Sequence, residues 1–168
     1  MSQYKELPQV EFAVAAQNAF KKFFQFNGRI RRSEYWWGFL TLFIAAFVIS
    51  LVPFVGPLVA LVLSIAGISM QFRRLHDTGR SGWWWAAQAC VGTISCTLFF
   101  VSFNFSAYLE AIRSQDIQAA MNVLISAITS ITGILAIVFY LINIALGITI
   151  LVFLLQDSQP EANKYGES

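Results

Sequence analysis

The chain has 168 residues, 57% hydrophobic and only 12% charged, with a mean hydropathy of +0.63 and a formal net charge of +2. A soluble domain carries about 25% charged residues, so the composition excludes an ordinary soluble domain and points to the membrane class. Two cysteines six positions apart, Cys90 and Cys96, match neither a disulfide framework nor a metal-ligand spacing and read as small packing residues.

The start, MSQYKELPQVEF, has no apolar core, so the first long apolar run is expected to act as its own insertion signal. Residues 9–26 read as an amphipathic helix. At 100° per residue Phe12, Ala16, Ala19, Phe20, Phe23 and Phe26 share one face, opposite Glu11, Asn18, Lys21, Lys22 and Gln25. Such a helix either lies in the lipid headgroup layer or packs on its own bundle. Asn27-Gly28 is a turn signal. Ser33 is the expected N-cap of the next helix, with Glu34 in its first turn.

Four spans are expected, over about 35–52, 54–72, 83–105 and 131–155. PFVGP, residues 53–57, is an uncharged turn that makes the first two a hairpin. The outer segment, 106–130, is polar at its start. From Ile117 it repeats Met121, Leu124, Ile128 and Ile131 at helical spacing, as a surface helix or the protruding start of the last span. Residues 156–168 read as a flexible tail. The expected architecture is therefore all-α, an integral membrane four-helix bundle with a cytoplasmic N-terminal amphipathic arm over residues 1–34. Lys5, Lys21, Lys22, Arg29, Arg31, Arg32, Arg73, Arg74, Arg80 and Lys164 fall on one side of these spans and Arg113 alone on the other, so both termini are expected to be cytoplasmic.

Two polar stretches interrupt the apolar sequence: FNGRIRRSEYWW before the first span and QFRRLHDTGRSGWWW between the second and third. Phe26, Gly28, Arg29, Arg32, Glu34, Tyr35 and Trp36, then Arg73, Arg74, Leu75, His76, Asp77, Gly79, Ser81, Gly82, Trp83 and Trp84, resemble the signatures of a bacterial inner-membrane family, domain of unknown function number eight hundred and five. The resemblance covers roughly residues 20–155. It implies a small multi-span helical protein of the inner membrane and supplies no activity. Segment 106–130 is longer than a compact member needs.

Arg29, Arg31, Arg32, Arg73, Arg74 and Arg80 repel one another if they share an interface, unless anions sit among them. Guanidinium matches phosphate in a bidentate way. Ser81-Gly82 opens a helix whose free N–H groups favour an anion, and Trp83 and Trp84 supply rings at headgroup depth. With His76 and Asp77, these residues form a candidate site for an anionic lipid headgroup or a lipid-linked phosphate. The competing reading is a structural or interaction subunit, docking a membrane partner or a second copy, in which arginines and tryptophans only anchor the helices. Asp77-Thr78-Gly79 also reads as an Asx-type turn.

No catalytic set is expected. A metal-dependent phosphohydrolase needs several histidines and the chain has one. In a Ser81–His76–Asp77 or Ser33–His76–Asp77 relay, the aspartate would be adjacent in sequence to its histidine and badly placed to orient it. No cofactor, metal or nucleic-acid partner is expected. Within the spans Gln88, Tyr140, Asn143 and Gly147 are candidate helix contacts, the Asn143 amide needing a partner in hydrocarbon. A transporter or flippase subunit needs a polar path, and these few groups make a poor one.

Overall fold

A computed structural model describes residues 9–166; the first eight residues of the N-terminal arm, Lys5 among them, and residues 167 and 168 lie outside the described residues. The fold is all-α. Its helices are α1 (Phe12–Lys21), α2 (Arg32–Ser50), α3 (Val55–Asp77), α4 (Trp83–Ser102), α5 (Phe105–Arg113), α6 (Ile117–Thr129) and α7 (Ile131–Leu155), with no strand among the described residues. Helices α2, α3, α4 and α7 are long and apolar enough to cross a membrane, as the composition requires. The described residues divide into two compact units, 9–85 with 150–166, and 86–149.

In the first unit α2 packs along α3, and α1 packs on both. Ala19, Tyr35, Leu42, Leu63, Ala66 and Met70 are buried together with Ile150 and Leu154. A Cβ on Gly38 would run into Met70 and lie against Ala19, so the glycine lets the three helices approach. Helix α1 turns a small-residue face inward, with Ala15 and Ala19 buried, and leaves Phe12 and Phe20 about half exposed. Of the two placements open to this helix, it packs on its own unit, and the phenylalanines expected on a single stripe are divided between inside and outside. Ser33 is not a cap: α2 starts two residues earlier than that cap implies, with Arg31 at the N-cap, and the Ser33 hydroxyl accepts from the Val10 N–H at 2.9 Å. Gly28 takes φ +91°, the positive value that its turn demands.

The largest departure from expectation is the end of α3. The helix does not stop at 72 but runs to Asp77, so RRLHD is its last turn. Arginine and leucine are good helix formers, and nothing before Gly79 breaks the helix. There Gly79 N–H donates to the His76 carbonyl (3.0 Å) and Arg80 N–H to the Leu75 carbonyl (2.8 Å), with Gly79 at φ +76°. This is a Schellman stop. It replaces the expected Asx-type turn, because the Asp77 carboxylate is engaged elsewhere.

In the second unit, α5 and α6 pack on each other and are capped by Asn104, which accepts from Ala107 N–H, and Asp116, which accepts from Ala119 N–H. Ser130 adopts an extended backbone and its hydroxyl accepts from Gly133 N–H at 3.0 Å. It thereby ends α6 and caps α7, so Ile117–Thr129 is a helix of its own rather than the start of the last span. Helix α7 is tied to α4 by Asn143 Nδ2, which donates to the Gln88 carbonyl at 2.7 Å, and by Ser95 Oγ, which donates to the Ala136 carbonyl at 2.9 Å. Gly92 leaves room for the Asn143 amide and Gly147 for the Gln88 side chain. Tyr140 does not join this contact; at 58% exposure it faces outward. Cys90 and Cys96, read as small packing residues, are free and exposed on α4. Asn143→Leu is expected to cost about 0.6 kcal/mol, and no more than about 1.7, measured by reversible unfolding in detergent.

Candidate functional site

The six arginines do not form one cluster. Consecutive helical residues point 100° apart, so once RRLHD is helical Arg73 and Arg74 leave α3 in different directions. Arg74 and Asp77, three apart, share a face.

Asp77 is fully buried and receives two guanidiniums. Arg29 Nε donates to Oδ1 at 3.0 Å and Arg74 Nη1 donates to Oδ2; both arginine side chains are fully buried. Arg74 then caps the end of α7, with Nε donating to the Leu154 carbonyl (3.1 Å) and Nη2 to that of Gln156. Its Nη1 also reaches the Ile30 carbonyl and, at 3.2 Å, the Ser158 hydroxyl. Arg29 donates to three tail carbonyls, those of Gln159, Glu161 (2.8 Å) and Gly166 (3.1 Å).

The tail is therefore docked where a flexible one was expected. Asn163 and Gly166 exchange backbone hydrogen bonds around a tight turn, and Asn163 Oδ1 accepts from Tyr165 N–H. Asn163 Nδ2 donates to the His76 carbonyl at 2.9 Å. The Tyr165 ring stacks on the His76 imidazole, with centroids 3.8 Å apart and planes within 7°. His76 Nδ1 lies 3.2 Å from the Gly28 carbonyl oxygen. A carbonyl only accepts, so Nδ1 carries the proton. With its ring stacked and the Asp77 carboxylate held by two arginines, His76 is in no position for a serine relay.

The other predicted residues are placed separately. Arg32 pairs with Asp157 at 3.1 Å on the surface. Arg31 is half-buried and also engaged. Arg80 lies 3.9 Å above the Phe153 ring centroid and donates to the Thr78 carbonyl. Ser81 Oγ accepts from Trp83 N–H at 3.3 Å, capping the start of α4 with its own chain. Trp83 is 76% exposed, whereas Trp84 packs edge-on against Phe153.

Arg73 differs from all of these. It is 1% exposed, and Nε, Nη1 and Nη2 are all buried without a hydrogen-bond partner among the described residues. The carboxylate whose charge acts on it is that of Glu34, which accepts from Asn18 Nδ2 at 2.8 Å. Arg73 shares its helix face with Met70, and Met70 meets α1 and α2 at Ala19 and Gly38.

Sequence reading missed the tail residues Ser158, Gln159, Asn163, Tyr165 and Gly166, and the Asn18–Glu34 bond. A signal for the tail does exist: Asn-Lys-Tyr-Gly is turn chemistry with an aromatic residue, unusual in a solvated end. No group of three or more His, Cys, Asp or Glu residues able to hold a metal occurs among the described residues.

The family model described as "Protein of unknown function (DUF805)" matches residues 23–167. The match takes in both motifs and the tail and leaves α1 outside. Inner membrane protein YhaH of Escherichia coli (strain K12) is 34% identical over 76 residues, 38% of this chain and 63% of that protein. Inner membrane protein YhaI of the same strain is 33% identical over 91 residues, 49% of this chain and 68% of that protein. The chain thus spans less than two thirds of the length of YhaH. No solved structure matches it.

Proposed function

We propose, from the premise that this chain belongs to the DUF805 family of proteins of unknown function, that it is a multi-span protein of the bacterial inner membrane that binds an anionic lipid headgroup or lipid-linked phosphate on its cytoplasmic side. Both termini lie on that side in this reading. It is not an enzyme and requires no cofactor.

The observation that carries the reading is the unpaired guanidinium of Arg73. Burying a charge without hydrogen-bonded compensation costs several kcal/mol, and a phosphate offers the acceptors that Nε and both Nη atoms lack. Supporting features surround it. Trp37, Trp83 and Trp84 stand partly exposed at the same arginine-rich helix ends, where indole rings favour the headgroup layer. An apolar groove of about 270 Å³ runs between α2 and α3, from Tyr35 and Gln71 at that end toward Phe43 and Ala60, and suits an acyl chain. Relatives that carry the name inner membrane protein support the compartment.

A second reading, in which the motifs are only scaffold for a structural or interaction subunit, draws on the Arg29–Asp77–Arg74 network, which is internally satisfied. Thermal unfolding in detergent separates the two. Phosphatidylglycerol, but not phosphatidylcholine, is expected to stabilise the wild type by about 2.7 kcal/mol at a hundredfold excess over Kd. Arg73→Gln is expected to lose that gain. Equal stabilisation of both proteins by both lipids would leave the scaffold reading in place.

A further inference from the structure

We infer that the α5–α6 hairpin is a lipid-binding raft, lying in the membrane surface where α4 ends and α7 begins, with its apolar face sunk among phospholipid acyl chains. In the orientation proposed above this is the outer leaflet. The residues that form the raft are distinct from those around Arg73.

Helices α5 and α6 pack on each other, and residues 114–116 reverse the chain between them. Gln115 takes φ +58° in this turn, and Asp116 N–H donates to the Ala111 carbonyl at 2.9 Å. Ala111 on α5 and Ala120 on α6 are buried. On α5, Phe105, Leu109 and Ile112 form an exposed apolar stripe beside exposed Ser106, Glu110 and Arg113. On α6, Ile117, Met121, Leu124 and Ile128 do the same beside exposed Gln118, Asn122 and Ser126. At 100° per residue, each apolar stripe follows the buried alanine of its helix by roughly 70–130° in the same sense. An antiparallel pair built this way turns both apolar stripes to one side of the hairpin and both polar stripes to the other. The apolar side chains are 39–79% exposed, so no described part of the chain covers that side.

What covers it follows from where the hairpin is tied. Phe103 and Asn104 alone separate α4 from α5, and Ser130 alone separates α6 from α7. With 3.8 Å between successive Cα atoms, these connections reach at most about 11 Å and about 8 Å. The 20 residues of α4 make a helix about 30 Å long, the thickness of the hydrocarbon core. It has no spare length with which to hold the hairpin clear of the surface. The apolar face also continues the lipid-facing surface of the spans: Phe100 and Val101 near the end of α4 and Ile131 at the start of α7 are 69–80% exposed. The Tyr108 ring packs on Phe103, with centroids 5.4 Å apart, which seats an amphipathic ring at the same level. Charge then selects the lipid. The hairpin carries Glu110, Arg113 and Asp116 and no other ionised side chain, so it offers no cationic patch to an anionic headgroup. Apolar area holds it in place, and neutral phospholipid suffices.

The test uses the full chain in vesicles of phosphatidylcholine alone or mixed with phosphatidylglycerol. A nitroxide label is placed through Leu124→Cys or Asn122→Cys, with the free cysteines removed as Cys90→Ala and Cys96→Ala. The label at position 124 should collide more with oxygen than with a water-soluble nickel complex and lie about 5–10 Å below the headgroups. The label at position 122 should show the reverse preference. Both readings should be the same in the two kinds of vesicle. In parallel, the wild type is photolysed in phosphatidylcholine that carries a diazirine in its acyl chain. Cross-links are expected in residues 105–129 as well as in the spans. A label at position 124 that prefers the nickel complex would put the hairpin in water and overturn the inference. A label there shielded from both reagents would mean that protein, such as a second copy, covers the face, and would overturn it equally. Insertion only when phosphatidylglycerol is present would overturn the apolar mode of binding. Wild-type cross-links confined to the spans would reject the raft even if the labelled variants fail to fold.

Discussion

Asp77→Asn is expected to destabilise the protein by about 3–5 kcal/mol, the cost of removing one partner from a buried ion pair. The amide keeps the shape of the carboxylate and one acceptor, so the loss is electrostatic rather than steric. Arg29 and Arg74 would remain buried side by side with no negative charge between them. The damage should spread along the contacts that the two arginines make. Arg29 holds the tail, and Arg74 holds the end of α7 and the Ile30 carbonyl. Unfolding in detergent, followed by helix content, measures the loss, and limited proteolysis should cut the tail first. A change below about 1 kcal/mol, the size of a surface ion pair, would mean that the network does not hold the fold together.

Arg73→Met is expected to have the opposite sign. With no lipid present, an unpaired buried cation is replaced by an apolar chain of similar length. Such replacements of buried charge are neutral or stabilising by about 1–4 kcal/mol. The same variant should gain nothing from phosphatidylglycerol. A structural arginine behaves differently: its removal destabilises the protein with or without lipid. Adjacent arginines of one motif thus give opposite results, since Arg74→Met would leave Asp77 short of a partner and the end of α7 uncapped.

These contrasts also mark what the sequence could and could not convey. The four spans were legible because hydropathy over some twenty residues is a strong, local signal. Gly28 was legible because a turn that needs positive φ favours glycine. The end of α3 was not, because a polar stretch between apolar runs reads as a loop, whereas arginine and leucine favour a helix and this one continues through Asp77, before the Gly79 stop. That boundary matters more than its few residues suggest. As a loop, RRLHD could present every charge to one ligand; as a helix, it must send Arg73 and Arg74 apart. The tail was illegible for another reason. Arg29 and Gly166 lie 137 residues apart, and no periodicity links them. The role of Ser33 was misplaced by the same kind of long-range contact, since Val10 claims its hydroxyl.

The site residues divide accordingly. Arg29, Arg74, His76 and Asp77, read as headgroup ligands, form the docking surface for the protein's own C-terminus. Arg80 and Trp84 pack on Phe153. What remains for an outside ligand is Arg73, with the exposed Trp83 at the same end.

Native mass spectrometry of the gently solubilised wild type beside Arg73→Gln and Arg80→Gln tests this division most directly. The account predicts that an anionic phospholipid or isoprenoid phosphate stays bound to the wild type and to Arg80→Gln and is absent from Arg73→Gln. Retention of the same lipids by all three proteins would contradict it and leave the two motifs as scaffold alone.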